Sequence, residues 1–117
     1  MIQLKNFYVP TTTGVDLIVI GHEIRGFVKE VGVGKNGWVT LMAPQPGATF
    51  GVGPRGTSPT GVNLETVKRV PSLVVPVMGG NLMIDPWQEV FLIDEETSGR
   101  RREFFVQLFL EEEAKKK

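Results

Sequence analysis

The 117-residue chain has no cysteine, a single histidine and no formal net charge at pH 7. Without cysteine it has no disulfides, no thiolate nucleophile and no zinc–sulfur site. Its 13 basic and 13 acidic side chains balance, which removes the general electrostatic argument for binding nucleic acid or an anionic membrane. We therefore expect neither of these as a partner.

Long apolar stretches are also missing. No run approaches the roughly 20 residues that a membrane helix requires, and the N-terminal MIQLKNFY lacks the apolar core of a signal peptide. With the lack of cysteine, these absences favour a cytoplasmic protein. The length indicates one domain, which we place at residues 1–110, followed by a charged tail at 111–117.

Alternation of apolar residues with a period of two predicts a strand over 2–9. Two further strands are predicted over 15–20, which is apolar apart from Asp16, and over 37–43. One helix is predicted over 22–31, with Gly32 as its C-terminal cap. Its apolar residues recur at i, i+3, i+4 and i+7 and form one stripe: Ile24, Phe27, Val28 and Val31.

Glycine and proline make up almost half of residues 44–63. Such a composition is typical of a loop, so we expect residues 44–63 to form one, with a short helix over 64–70 behind it.

The stretch from Ser72 to Phe109 organises the chain and is predicted as strand, tight turn, strand, charged turn, strand. Gly79-Gly80 supplies the two positive-φ residues of a type I′ turn. Asp85-Pro86 interrupts the second strand, which predicts a kink that turns Trp87 to one side.

Acidic residues at 94–96 and arginines at 100–102 flank the second turn and can pair across it, although the arginines could instead hold a phosphate.

Strands outnumber helices and short turns join them. The predicted fold class is therefore α+β, mostly β: an antiparallel β-sandwich-like sheet with one main helix, at about 22–31, packed on it. Many strand positions are apolar on both faces, more than a small monomer can bury. This pattern predicts a homo-oligomer.

Two segments, NLMIDPWQEVFLIDE at 81–95 and GRRREFFVQ at 99–107, resemble the C-terminal signature of the secondary thiamine-phosphate synthase (YjbQ-type) family. There, a strand G-x-L-x-L-G-x-W-Q-x-I-F leads through an acidic-Gly turn to R-x-R-x-V-x-V. The helix HEIRGFVKEVGV and the strand GWVTLMAP fit the front half of the family in the same order. The resemblance implies a β-sandwich-like fold, a trimer with pockets between subunits, and the joining of an aminopyrimidine pyrophosphate to a thiazole phosphate with loss of pyrophosphate.

The chain departs from this family in the segment where the family has its histidine. After Pro44 the family reads His-Thr-Thr-Ala, but this chain has Gln45-Pro46-Gly47-Ala48. An amide neither binds metal well nor moves protons at pH 7. We therefore interpret the chain as a diverged, non-catalytic member without the family's histidines, which binds an anion or a small phosphorylated ligand at subunit interfaces. The alternative is an active thiamine-phosphate-synthase-like transferase that uses other residues.

The candidate ligand-binding residues are Gln45, Arg55, Asp85, Trp87 and Arg101. Arg55 lies in a glycine-rich segment that could form an anion-binding nest, although this segment has neither a Rossmann context nor the lysine of a phosphate loop. Asp85 would lie at a pocket rim, or only in a kinked strand. Trp87 would stack on a ring, or only anchor the packing.

No residue receives a catalytic assignment, and no cofactor or metal site is predicted; Mg²⁺ is required only by the transferase alternative. His22, the only histidine, opens the predicted helix and has no second histidine with which to share a metal.

Overall fold

The computed structural model describes residues 1–9, 16–44, 47–54, 68–94 and 102–111. These ranges contain one helix and nine strands. In chain order they are β1 (Ile2–Val9), β2 (Asp16–Val19), α1 (Gly21–Val31), β3 (Gly37–Met42), β4 (Ala48–Pro54), β5 (Lys68–Val70), β6 (Ser72–Met78), β7 (Asn81–Leu82), β8 (Gln88–Asp94) and β9 (Arg102–Leu110).

The strands form two antiparallel sheets. The five-stranded sheet has the order β1-β9-β3-β6-β7, and the four-stranded sheet has the order β2-β8-β4-β5. The described residues thus confirm the predicted class: α+β, mostly β, a sandwich of antiparallel sheets with a single helix.

Alternate residues of β3, β6 and β9 fill the space between the sheets. On β9, Phe104, Val106 and Leu108 are fully buried, while the residues between them are half-buried. The Phe104 ring lies 5.2 Å from that of Phe7 and 6.3 Å from that of Phe50 on the opposite sheet. Full burial of each such side chain contributes about 1.5–3 kcal/mol, so this layer is the main source of stability.

The predicted helix is confirmed as α1. Ile24, Phe27 and Val28 are buried and join the core cluster between the sheets. The opposite side of α1 is polar and exposed, as expected of an amphipathic helix on a sheet. The N–H of Gly32 donates to the carbonyl oxygen of Val28 at 2.7 Å, which ends the helix at the predicted residue.

The sequence predicted a loop over the whole glycine- and proline-rich segment at 44–63, but part of this segment is a strand. Residues 48–54 form β4, which pairs with β8 on one side and β5 on the other. The composition misled because burial decides the conformation here: Phe50 is fully buried in the core, and Gly51 and Gly53, which point to the other face, are buried as well. Burial of the strand outweighs the low strand propensity of glycine.

The predicted helix over 64–70 is also wrong where the structure describes it. Residues Lys68–Val70 are β5 and pair with Phe50, Gly51 and Val52. Residues 64–67 lie outside the described ranges.

The C-terminal stretch is not a three-stranded meander. Gly79 and Gly80 form the predicted turn between β6 and β7, with φ of 59° and 80°. However, β8 lies in the other sheet, where it pairs with β2 and β4. The chain around Asp85-Pro86 therefore crosses from one sheet to the other, which is a larger change of direction than the predicted kink.

One buried ion pair joins the two sheets. Nε and Nη2 of Arg102, at the start of β9, donate to Oδ2 and Oδ1 of Asp94, at the end of β8, each at 2.8 Å. The two side chains are 0% and 1% exposed. The predicted pairing of acidic residues with arginines is thus confirmed for Asp94 and Arg102, but it links two sheets instead of fixing the register of a hairpin.

We expect Arg102→Met to lower the free energy of unfolding by about 3–5 kcal/mol, because it leaves the Asp94 carboxylate buried beside an apolar side chain. The double variant Asp94→Leu with Arg102→Met should recover much of that loss. Urea denaturation measures both. Glu103→Ala, at the half-buried neighbouring position, is the control and should stay within about 0.5 kcal/mol of the parent. An equal loss in the single and double variants would contradict this account.

Candidate functional site

Asp85 and Trp87 are the two candidate residues that the structure describes, and they lie together in the link between β7 and β8. The Asp85 carboxylate (Oδ1) accepts the backbone N–H of Trp87 at 2.8 Å, and the Asp85 carbonyl accepts the N–H of Gln88 at 2.9 Å. This is the local bonding by which aspartate closes a turn. Asp85 therefore shapes the link that presents Trp87.

Trp87 is not a packing anchor, the simpler of the two readings of the sequence. Its side chain is 76% exposed, because the crossing between the sheets carries it onto the surface. An exposed indole is free to stack on a planar ligand or on another protein surface. The prediction that Trp87 is turned to one side is confirmed.

Gln45, Arg55 and Arg101, the other three candidates, lie outside the described residues. Arg102, next to Arg101, belongs to the buried pair with Asp94 and is not exposed to solvent.

His22 lies exposed in the first turn of α1. Among the residues that the structure describes, no three His, Cys, Asp or Glu side chains come close enough to hold a metal ion.

A second ion pair, between Arg25 on α1 and Glu89 on β8, is one that the sequence did not predict. Nη1 of Arg25 lies 3.2 Å from Oε1 of Glu89, and that oxygen also accepts the N–H of Val90 at 3.1 Å. Glu89 is only 6% exposed. A side chain at Gly21 would meet the same oxygen at 1.9 Å, so the glycine makes room for the carboxylate. The two partners are far apart in sequence, and no local pattern links them.

A small concavity of about 150 Å³ lies beside this ion pair, lined by Arg25, Lys29, Gly80, Asn81 and Leu82. The nearby backbone donors are occupied: the N–H of Gly79 donates to Asn36 Oδ1 at 2.8 Å, and the N–H of Gly80 donates to the Lys35 carbonyl at 2.9 Å. Any anion here would depend on the side chains of Arg25 and Lys29. Since Arg25 already pairs with Glu89, this concavity is a weak anion site.

A larger concavity, of about 310 Å³, lies on the outer face of the five-stranded sheet. It is lined by Leu4, Thr40, Met42, Phe105 and Gln107. None of these side chains carries a charge, so the concavity is suited to apolar contact and neutral hydrogen bonds and not to a phosphate.

No family model and no curated protein matches the chain, but several solved structures share its fold. A YbjQ-like protein of unknown function from Sulfolobus solfataricus P2 has a TM-score of 0.75 at 19% identity, covering 96% of this chain and 99% of that chain. An uncharacterized conserved protein of the YjbQ/UPF0047 family from Clostridium acetobutylicum has a TM-score of 0.71 at 15% identity, covering 90% and 99%. A hypothetical protein from Aeropyrum pernix K1 has a TM-score of 0.73 at 21% identity, covering 93% and 99%.

These comparisons define the class of fold. The chain has the architecture of YjbQ-like proteins over nearly its whole length, and the fold that the sequence resemblance implied is confirmed. At 15–21% identity the likeness concerns the fold alone. Activity has to be argued from the residues of this chain.

We expect Asp85→Ala to lower the free energy of unfolding by about 0.5–1.5 kcal/mol, because it removes the acceptor of the Trp87 N–H. Asp85→Asn keeps an acceptor oxygen at the same position and should stay within about 0.5 kcal/mol of the parent. Urea denaturation followed by circular dichroism measures both changes. If both substitutions cost the same, the carboxylate acts through its charge and not through this hydrogen bond.

Proposed function

We propose that the chain is a diverged, non-catalytic YjbQ-like protein of the cytoplasm. In this proposal it assembles as a homotrimer and binds an anion or a small phosphorylated ligand at the interfaces between subunits. The observation that carries the proposal is the match of fold, which covers 96% of this chain and 99% of a YbjQ-like protein. A full-length match of this kind supports a retained scaffold and not a shared fragment.

The position of the histidine supports the loss of catalysis. The chain has one histidine, and it lies exposed on α1, whereas Gln45 stands where the family pattern has its own. A neutral amide cannot take up or release a proton near pH 7, and it is a poor metal ligand. The scaffold is thus kept without the groups that would move protons on it.

The proposed ligand site combines charge and a planar surface. Arg55 and Arg101 supply guanidinium groups, which bind phosphate with paired hydrogen bonds. Trp87 supplies an exposed ring on a turn that its backbone N–H closes by donating to the Asp85 carboxylate, and Gln45 adds an uncharged donor. The proposal needs no metal or cofactor; Mg²⁺ would enter only with the transferase alternative.

We expect no thiamine phosphate to form from the aminopyrimidine pyrophosphate and the thiazole phosphate, with Mg²⁺ present, above the rate without protein. Chromatography of the products measures this. Turnover that is lost in Arg55→Ala would contradict the non-catalytic proposal and establish the transferase alternative.

We expect inorganic pyrophosphate to bind measurably in isothermal titration calorimetry, and Arg55→Ala or Arg101→Ala to weaken binding about tenfold. The basis is that a hydrogen bond to a charged group contributes about 1.5–3 kcal/mol, of which 1.4 kcal/mol is a factor of ten. Lys29→Ala, an exposed cation on α1, is the control. Loss of binding in Lys29→Ala with both arginine variants unchanged would move the site to the concavity beside α1 and contradict the proposed one.

A further inference from the structure

Strand β1 forms the longest free edge among the strands that the structure describes. It lies at one end of the five-stranded sheet and pairs there with β9 alone. Over the described residues, the strands at the other three sheet edges have four residues in β2, three in β5 and two in β7, whereas β1 has eight. A long edge strand is a template for pairing with another chain, and proteins usually shorten or protect such edges.

The backbone groups that point out from this edge follow from the pairing of β1 with β9. The Met1 nitrogen donates to the Leu110 carbonyl oxygen and the Leu110 N–H donates to the Met1 carbonyl oxygen, each at 2.9 Å. Hydrogen-bonded and non-hydrogen-bonded pairs alternate along an antiparallel ladder, and the register is unbroken over all eight residues of β1. The N–H and C=O groups of Ile2, Leu4 and Asn6 therefore point away from β9, and no described residue pairs with them.

The usual protections of an edge strand are missing from β1. The strand contains neither proline nor glycine, and its unbroken register leaves no bulge. Its one charged residue, Lys5, does not guard the edge, because its Nζ lies 5.2 Å and 5.7 Å from the ring centroids of Phe7 and Phe27. The ammonium group is thus held over the inner side of the strand, against α1, and the outward N–H and C=O groups stay accessible.

The spacing of these outward groups fits an extended backbone. Alternate residues of a strand are about 6.8 Å apart, and Ile2, Leu4 and Asn6 each offer one donor and one acceptor on the same edge. A small anion or a flat ring can match one such pair, whereas an extended peptide matches the whole row, as when a strand adds to a sheet edge in β-augmentation. All strand pairs among the described residues are antiparallel, so antiparallel addition continues the sheet.

The side chains beside the edge define the composition of that peptide. On the outer face, which is the side of the five-stranded sheet that points away from the other sheet, Ile2 and Leu4 are 59% and 60% exposed and offer apolar contact. On the inner side, Phe27 of α1 lies against β1, and the exposed Glu23 and Glu30 lie one helical turn to either side of it. These two carboxylates outnumber the single lysine of β1 and favour a basic partner.

We infer that the β1 edge binds an extended segment of another protein. This segment adds as an antiparallel strand, with apolar side chains on the outer face and basic side chains on the side of α1. The surface is separate from the proposed ligand site, and the inference does not depend on the proposed function. The β1 strand of a second copy would be a poorer occupant, because it contains one basic residue in eight.

The probe is an eight-residue peptide of alternating valine and lysine, capped at both ends and labelled with a fluorophore, whose binding is followed by fluorescence anisotropy. We expect saturable binding to the parent protein, and about tenfold weaker binding when glutamate replaces every lysine, because of the carboxylates on α1. Combining Glu23→Gln with Glu30→Gln should remove most of this difference. No binding of the lysine peptide, or equal binding of both peptides, would overturn the inference.

Methylation of the peptide nitrogens tests the backbone pairing in the unmodified protein. In an antiparallel addition, the valines opposite Ile2 and Leu4 direct their N–H groups at β1, and the lysines direct theirs away. Methylation of the valine nitrogens should abolish binding, whereas methylation of the lysine nitrogens should preserve it. Binding that survives methylation of the valines would overturn the inference.

On the protein, Leu4→Pro removes one outward donor without breaking the β1–β9 ladder, because the Leu4 N–H points away from β9. An edge strand accepts proline at such a position, so the circular dichroism should not change. Leu4→Pro should bind the lysine peptide about tenfold more weakly than Leu4→Ala, which shortens the side chain but keeps the N–H. Equal binding by the two variants would overturn the inference. So would a fall in the mass of Leu4→Pro alone in size-exclusion light scattering, which would show that a second copy occupies the edge.

Discussion

A buried ion pair between Asp94 and Arg102 constrains how the two sheets meet. These residues end β8 and begin β9, two strands that belong to different sheets, and both guanidinium–carboxylate hydrogen bonds measure 2.8 Å. Fully desolvated charges are tolerated only when they satisfy one another. The pair therefore holds the two sheets in one relative position. From this point, β8 and β9 carry their buried apolar residues into the core.

With the sheets held in this way, the five-stranded sheet buries one face and leaves the other exposed, whereas β8 of the four-stranded sheet is buried on both faces. The inner faces, with α1, form the continuous core. The outer face of the five-stranded sheet stays apolar, and the link between β7 and β8 carries Trp87 out into solvent. The proposed homotrimer would cover such a face with a neighbouring copy of the chain. The proposed ligand site at subunit interfaces fits the same arrangement, because Trp87 projects away from the core.

Local patterns in the sequence predicted what local forces determine. The apolar stripe of α1, its end at Gly32 and the Gly79-Gly80 turn each depend on neighbouring residues, and each is confirmed. β4 was missed because its glycines are typical of a loop, although Phe50 within it is fully buried in the core. The meander was wrong because nothing local distinguishes a kink at Asp85-Pro86 from a passage between two sheets.

The candidate site was predictable to a smaller extent. Trp87 matches the tryptophan of the family pattern and Asp85 was named as its neighbour in the sequence, but the exposure of Trp87 depends on the crossing between sheets. The Arg25–Glu89 pair joins residues 64 positions apart, which no periodicity could connect. The sequence predicted strands that are apolar on both sides. The alignment of their exposed side chains on one face of the five-stranded sheet followed only from the pairing of β1, β9, β3 and β6.

Oxidative footprinting of the unmodified protein, read by mass spectrometry, tests the proposed homotrimer most directly, because copies of the chain would cover the outer face of the five-stranded sheet. Trp38 and Met42 lie on that face and are 49% and 52% exposed in the single chain, while Trp87 and Met83 lie in the link after β7 and are 76% and 50% exposed. The account predicts that Trp38 and Met42 are oxidised severalfold more slowly than Trp87 and Met83 at concentrations where the protein is assembled. Oxidation in simple proportion to these exposures would contradict it.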